Sequence, residues 1–257
     1  MSTEALYRLL AWASPAFPTG SFSYSHGLEA AAEDGAVRDR ATLQAWIAAT
    51  VTHGSGRIDA DILRDAWRAS AAGDGAALVE AERRGAAYRA TAELALESSQ
   101  QGAAFAAAHA AWGPRPAAAG ASATLSRGKG EGLRPPAQNP LSRRVREGAE
   151  RLGREAGEDI CHAAIFGAAA ARAGIALEEA LTAYLSAFAA NLISAGLRLG
   201  IVGQNDGQRI LAALEPIVAA SVVASLVRVP EDFGAATFAL DLASMAHETQ
   251  YSRLFRS

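Results

Sequence analysis

Apolar positions recur with helical spacing almost from one end of the chain to the other. In residues 41–54, Leu43, Trp46, Ile47, Thr50 and Val51 share one face, the i, i+3, i+4 stripe of an amphipathic helix. Residues 57–70 repeat the pattern through Ile58, Ile62, Leu63 and Trp67. A Gly-Asp-Gly break at 73–75 separates that segment from a further helix over 76–88. Residues 90–112 predict another, ending at Trp112 before Gly113-Pro114, a strong stop signal. The clearest stripe lies in 177–199, where Leu177, Leu181, Tyr184, Leu185, Phe188, Leu192 and Leu199 align, with Glu178 and Glu179 in the first turn complementing the helix dipole. Residues 207–228 and 236–254 complete the series. Alternation of β-branched residues is scarce. The expected fold is all-α: a single helical-bundle domain over 1–257 with about ten helices and no sheet.

Two stretches break the pattern. Residues 113–158 are rich in Gly, Ala, Pro, Ser and Arg and hold too little apolar surface to offset the entropy of ordering. They read as a flexible or inserted loop, with 143–158 as a charged surface helix, or else as a boundary between 1–112 and 159–257. Residues 13–29 (ASPAFPTGSFSYSHGLE) interrupt the first helical segment with two prolines and two glycines. Ser25 is placed to cap the next helix, with Glu29 near its first turn. A plain helix–loop–helix connection accounts for the turn residues, but Phe17, Phe22 and Tyr24 would crowd a solvent-exposed turn, so the loop is expected to pack or to bind.

Composition narrows the function. A formal charge of −3 gives no global attraction to nucleic acid or to an anionic membrane. The single cysteine, Cys161, excludes an intramolecular disulfide and suits a reducing cytosol. Residues 1–13 lack the pattern of a secretory leader, and a mean hydropathy of +0.06 fits a soluble protein. The most apolar run, Ile217 to Val229, is shorter than a membrane span and reads as a buried helix.

Catalytic and metal signatures are weak. Gly20-Ser21-Phe22-Ser23 lacks both the spacing and the preceding strand of a nucleophile elbow. The histidines, His26, His53, His109, His162 and His247, are scattered, and neither Cys161-His162 nor His247-Glu248 forms a ligand motif. Gly128-Lys129-Gly130 lacks the frame of a P-loop. The turn LRLGIVGQNDGQ (197–208) reads as a helix end at Gly200 and a restart capped by Asp206, while Asn191, Ser194 and Arg198 form a polar stripe beside the apolar face.

The segment FALDLASMAHETQYSRLFRS (238–257) stays apolar and aromatic where a chain usually frays. Tyr and Arg are enriched at interface hot spots, so this segment is expected to dock, on its own bundle or beneath another molecule, and the adaptor reading rests on its being covered by a partner.

Three blocks, SPAFPTGSFSYSHGLE (14–29), YLSAFAANLISAGLRLGIVGQNDGQ (184–208) and HETQYSRLFRS (247–257), resemble in order and spacing the urease accessory protein F family, and ESSQQGAAF at 97–105 adds a weaker match. The resemblance spans nearly everything except about 113–158. It implies an all-α, cytoplasmic, homodimeric protein that is not an enzyme. Such a protein joins a urease-binding scaffold (accessory protein D or H) to a GTPase (accessory protein G) and serves nickel delivery to apo-urease. No cofactor is expected to stay bound, and nickel is expected only in transit. On this resemblance Tyr251, Arg253, Leu254, Phe255 and Ser257 lie at the scaffold interface, with His247 counted beside them. Arg198 takes a position that controls the GTPase, and Gln204 and Gln208 join the partner-binding set. Ser14, Pro15, Pro18, Gly20, Phe22, Tyr24, Ser25, Gly27 and Glu29 serve fold and interface together. The alternative is a helical small-molecule-binding or enzymatic protein using the 13–29 loop, where His26 and Glu29 stand without an evident partner.

Overall fold

Helix ends in this chain are written by capping residues, and each sets where a stripe begins. In the computed structural model, which describes residues 1–113 and 160–257, Ser2 caps α1 (Thr3–Trp12), and Gly27 precedes the short α2 (Leu28–Glu33). Asp39 opens α3 (Arg40–His53) with a reciprocal box: Thr42 N–H donates to Asp39 Oδ1 at 2.9 Å and Asp39 N–H to Thr42 Oγ1 at 3.0 Å. These bonds favour the ionised form and hold the Asp39 carboxyl below its usual range. α4 (Ser55–Ala72) stops at Gly73, α5 (Gly75–Ala87) starts from Asp74, and Thr91 caps α6 (Ala92–His109). Then come α7 (His162–Arg172), α8 (Leu177–Arg198), α9 (Gln204–Val227) and α10 (Phe238–Glu248). The described residues form an all-α bundle without strands.

The predicted stripes become the core. Leu43, Ile47 and Val51 of α3, Ile62 and Leu63 of α4, and Leu181, Leu185 and Leu192 of α8 are fully buried in one cluster that also takes Phe105 and Phe166. α4 and α7 form the most extensive helix pair. They approach so closely that a Cβ on Gly167 would lie 2.4 Å from the Leu63 carbonyl oxygen, so only glycine fits at that crossing. Two buried acids of α4 are paired. Asp59 accepts from the Tyr184 hydroxyl at 2.9 Å and faces Arg89 Nη1 at 2.8 Å; burial, reinforced by Asp59, drives the Tyr184 hydroxyl well above its usual pKa. Asp61 binds Arg228 Nη1 at 2.6 Å and Ser225 Oγ at 3.1 Å, tying α4 to the end of α9.

Several sequence expectations need correction. α2 has Gly27, in a left-handed conformation (φ 72°), at the position just before the helix, while Ser25, two residues earlier, still serves the first turn by accepting from Glu29 N–H at 3.4 Å. α9 begins after Gly203, which puts Asp206 inside its first turn, where its charge favours the dipole without a cap bond. The helix expected to Trp112 ends at His109 and tightens into a 3-10 turn over Ala110–Trp112. The one expected over 236–254 covers Phe238–Glu248 only, leaving 249–257 outside any helix. Nor is the run from Ile217 a buried helix. α9 buries the stripe Ile210, Leu214, Val218, Val222 and turns Ala219, Ala220, Val223, Ala224 and Val227 outward. α8 and α9 are both long and apolar enough to cross a membrane by length and composition. The loop or insertion expected at about 113–158, Gly113 apart, the helix at 143–158, and Gly128-Lys129-Gly130 lie outside the described residues.

Candidate functional site: the 249–257 segment and its cradle

Three backbone features build the cradle. The 13–29 loop turns through Gly20 (φ 77°) into a 3-10 turn at Ser21–Ser23, then through His26 at φ 54° into α2. Positive φ is costly for a non-glycine residue and persists only where surroundings fix it. Here both His26 nitrogens are engaged: Nε2 meets Glu97 Oε1 at 2.9 Å and Nδ1 meets Ser55 Oγ at 3.2 Å, with Phe188 edge-on to the ring. Asn191 of α8 donates to the carbonyls of Ser21 (2.9 Å) and Tyr24 (3.3 Å), holding the loop from the other side. Gly27 then lets α2 meet α10 directly, since a Cβ there would lie 2.6 Å from Ser244 N.

Across this frame runs the 249–257 segment. Glu29 accepts from the backbone N–H groups of Leu254 (2.6 Å) and Phe255 (2.9 Å). His247, wholly buried, stands between two carboxylates, Nε2 at 3.1 Å from Glu29 Oε2 and Nδ1 at 2.7 Å from Glu93 Oε2. Glu93 also receives Arg253 Nη1 at 2.5 Å. Farther on, Arg256 N–H donates to the Ser23 carbonyl (2.8 Å), and Ser25 donates through N–H (2.8 Å) and hydroxyl to the Ser257 carbonyl. Ser257 Oγ donates to Glu97 Oε2 at 2.9 Å. The Tyr24 hydroxyl donates to Gln100 at 2.5 Å, and burial raises its pKa against the pull of Arg256. The Phe255 ring is 4% exposed and lies under the Arg198 guanidinium, 4.3 Å from the ring centroid.

The site residues expected from the sequence therefore divide. Tyr24, Ser25, Gly27, Glu29, His247, Phe255 and Ser257 converge and are buried. The expectation that another molecule covers the segment is corrected for Phe255 and Ser257, because their own bundle covers them. Tyr251 is fully exposed and Leu254 is 62% exposed. Arg253 is paired with Glu93, and Arg198, itself exposed, lays its guanidinium over the Phe255 ring. Phe22 is exposed beside the cradle; Ser14, half-buried, accepts from Ala16 N–H, and Pro15 and Pro18 are exposed. Gln204 and Gln208 lie exposed at the start of α9, away from the cradle bonds. His26 and Glu29, expected to lack partners, both have them. Glu93, Glu97 and Gln100 were missed, although 93, 97 and 100 sit on one face of α6 at the i, i+4, i+7 spacing.

A cavity of about 430 Å³ lies beside the cradle, lined by His26, Ser55, Arg89, Leu94, Phe233 and Asp241 among others. Burial raises the Asp241 carboxyl, opposed by the Thr237 hydroxyl. Among the described residues no group of three or more His, Cys, Asp or Glu side chains is arranged to hold a metal ion.

A family model described as UreF matches residues 37–215. The chain belongs to the UreF family. The urease accessory protein UreF of Granulibacter bethesdensis is 44% identical over 254 residues, covering 98% of this chain and 94% of its own length. Its namesake in Rhodopseudomonas palustris (strain BisB18) is 42% identical, covering 98% and 92%. That of Mesorhizobium japonicum is 39% identical over 257 residues, covering 100% and 98%. The cradle's α2 and α6 fall inside or beside the matched region, and the 249–257 segment lies beyond it, within the span shared with the relatives.

Proposed function

We propose that this chain acts in urease maturation as a non-catalytic accessory protein, bridging a urease-binding scaffold (accessory protein D or H) and a GTPase (accessory protein G) during nickel insertion. Family membership supports the accessory role. The bridging is supported by one observation above others: a segment held rigidly by buried carboxylates offers Tyr251 and Leu254 to solvent, with Phe238, Leu242 and Met245 forming an exposed apolar stripe on the adjoining α10. Aromatic side chains on a preorganised backbone bind at low entropic cost. The scaffold is assigned to this surface.

The GTPase is assigned to the end of α8, around Arg198, Gln204 and Gln208. An adaptor shifts a nucleotide-state equilibrium only by binding one state better than the other. Nickel is cargo in this reading, and apo-urease is reached through the complex in the cytoplasm. The outward face of α9, whose Ala219, Ala220, Val223 and Val227 are small and uncharged, suits close approach of a second copy about a two-fold axis, giving a homodimer.

The experiment is a reconstitution with purified scaffold, GTPase, apo-urease and nickel. Wild-type protein is expected to carry both partners through size exclusion and to raise urease activity. The Tyr251→Ala/Leu254→Ala variant is expected to lose the scaffold. Scaffold binding undiminished in that variant, or urease activation equal without this chain, would refute the reading.

A further inference from the structure

We propose that Glu29, backed by His247 and Glu93, is the positioning residue of the partner-facing surface, fixing the 253–255 backbone so that Tyr251 and Leu254 project outward. This rests on the scaffold reading above. Glu29 is 7% exposed and His247 not at all, so neither reaches a partner directly. What Glu29 does reach is backbone: it takes the N–H groups of two successive residues, Leu254 and Phe255. A carboxylate gripping consecutive amides fixes the direction of the chain whatever the side chains are. Here the result is that Phe255 turns inward, 4% exposed, while Leu254 stays 62% exposed. Glu93 holds the preceding residue through Arg253, and His247 joins the two carboxylates, so residues 253, 254 and 255 are each anchored to one connected cluster.

The helices that carry Glu29 and His247 are brought together by a backbone contact. Glu29 rides on α2 and His247 on α10, and those helices touch at the Gly27–Ser244 contact that a Cβ would forbid. The carboxylate thus lies within reach of the imidazole, 3.1 Å away, and both groups are buried. Removing the charge of Glu29 leaves a carboxamide whose N–H₂ group faces one of the two N–H donors, so the amides no longer each have an oxygen of their own.

The test uses the full chain and purified scaffold protein. Three variants are compared with wild type: Glu29→Gln, Tyr251→Ala/Leu254→Ala, and the triple combination. Glu29→Gln is expected to keep its helical circular dichroism, to speed hydrogen exchange at the Leu254 and Phe255 amides at least about tenfold, and to raise the scaffold Kd at least about tenfold. In the triple variant Glu29→Gln is expected to add no further loss, because it acts through the two side chains already removed. Should Glu29→Gln fail to fold, Glu93→Gln, which frees only Arg253 and one face of His247, is expected to raise the scaffold Kd while leaving the melt unchanged; a Kd equal to wild type in that variant overturns the proposal. Faster exchange with an unchanged scaffold Kd in Glu29→Gln overturns it while the scaffold reading stands. A Tyr251→Ala/Leu254→Ala variant that binds scaffold like wild type overturns both.

Discussion

Replacing Phe255 with alanine asks whether the segment is held by its ring or only by the carboxylates beneath it. The ring is buried to 4% exposure and carries Arg198 over its face at 4.3 Å. Burial of a phenylalanine side chain is worth about 1.5–3 kcal/mol, and a solvent-exposed cation over the ring face adds about 0.5–1 kcal/mol. The cavity contribution is small, because a short segment at the surface can lift away instead of leaving a void. Together these give about 2–4 kcal/mol, a fall of roughly 30- to 1000-fold in the docking constant. Hydrogen exchange followed by NMR reads it directly at four amides: Ser25, bonded to the Ser257 carbonyl, Leu254 and Phe255, bonded to Glu29, and Arg256, bonded to the Ser23 carbonyl. All four are expected to lose protection by that factor, while amides of α4 and α7 keep theirs. Arg198→Ala removes only the cation and is expected to cost about two- to fivefold at the same amides. If the four amides of Phe255→Ala exchange within about threefold of wild type, the ring is not the anchor and the burial reasoning fails.

Three other outcomes are expected. Gly167→Ala drives a Cβ toward the Leu63 carbonyl at the α4–α7 crossing and should cost about 1–3 kcal/mol or more in urea unfolding, with an unchanged midpoint refuting the close approach. Burial lowers the half-buried His162, against the pull of Asp59 and Glu97, to about 4 from an ordinary 6.5. Because the unfolded chain binds that proton first, stability is intact above pH ~6.5 and falls as pH drops toward 4, by at most about 3 kcal/mol. His162→Gln should flatten that part of a stability–pH curve, and a curve of unchanged slope would count against it. Ala220→Arg on the outward face of α9 should convert a dimer to a monomer by light scattering without altering the melt; a dimer that persists would move the two-fold contact elsewhere.

The helices were legible because their signal is local and redundant. Leu43, Ile47 and Val51, or Leu181, Leu185 and Leu192, announce a buried face by spacing alone, and those residues are fully buried. Boundaries were less so. Asp206 looks like a cap, yet Gly203 starts the helix, and Ser25 accepts from Glu29 N–H as a cap would, yet its hydroxyl also donates to the Ser257 carbonyl across the whole length of the chain. Which of several competent oxygens caps a helix depends on tertiary partners that short-range pattern does not contain. α9 shows the same limit: a largely apolar run from Ile217 reads as buried, while the bundle covers only one stripe and leaves the alanines and valines opposite it outside. Hydrophobicity tells that a face wants cover, not what covers it.

The 249–257 segment carries this point furthest. Its composition rightly marked it as bound, and the sequence could not apportion that binding between its own bundle and a partner, since both use the same residue types. The structure separates them by backbone geometry. With both successive amides held on Glu29, Phe255 serves the bundle while Leu254, one residue earlier, stays in solvent with Tyr251. The acids that impose this division, Glu29, Glu93 and Glu97, sit more than 150 residues from the segment they hold. Each looks unremarkable in its own helix: Glu29 and Glu93 as first-turn acids, Glu97 at the head of the polar run ESSQQ. Their meaning appears only once α2, α6 and α10 meet. That meeting depends on Gly27 having no side chain, so a substitution there would scatter the surface residues without touching one of them.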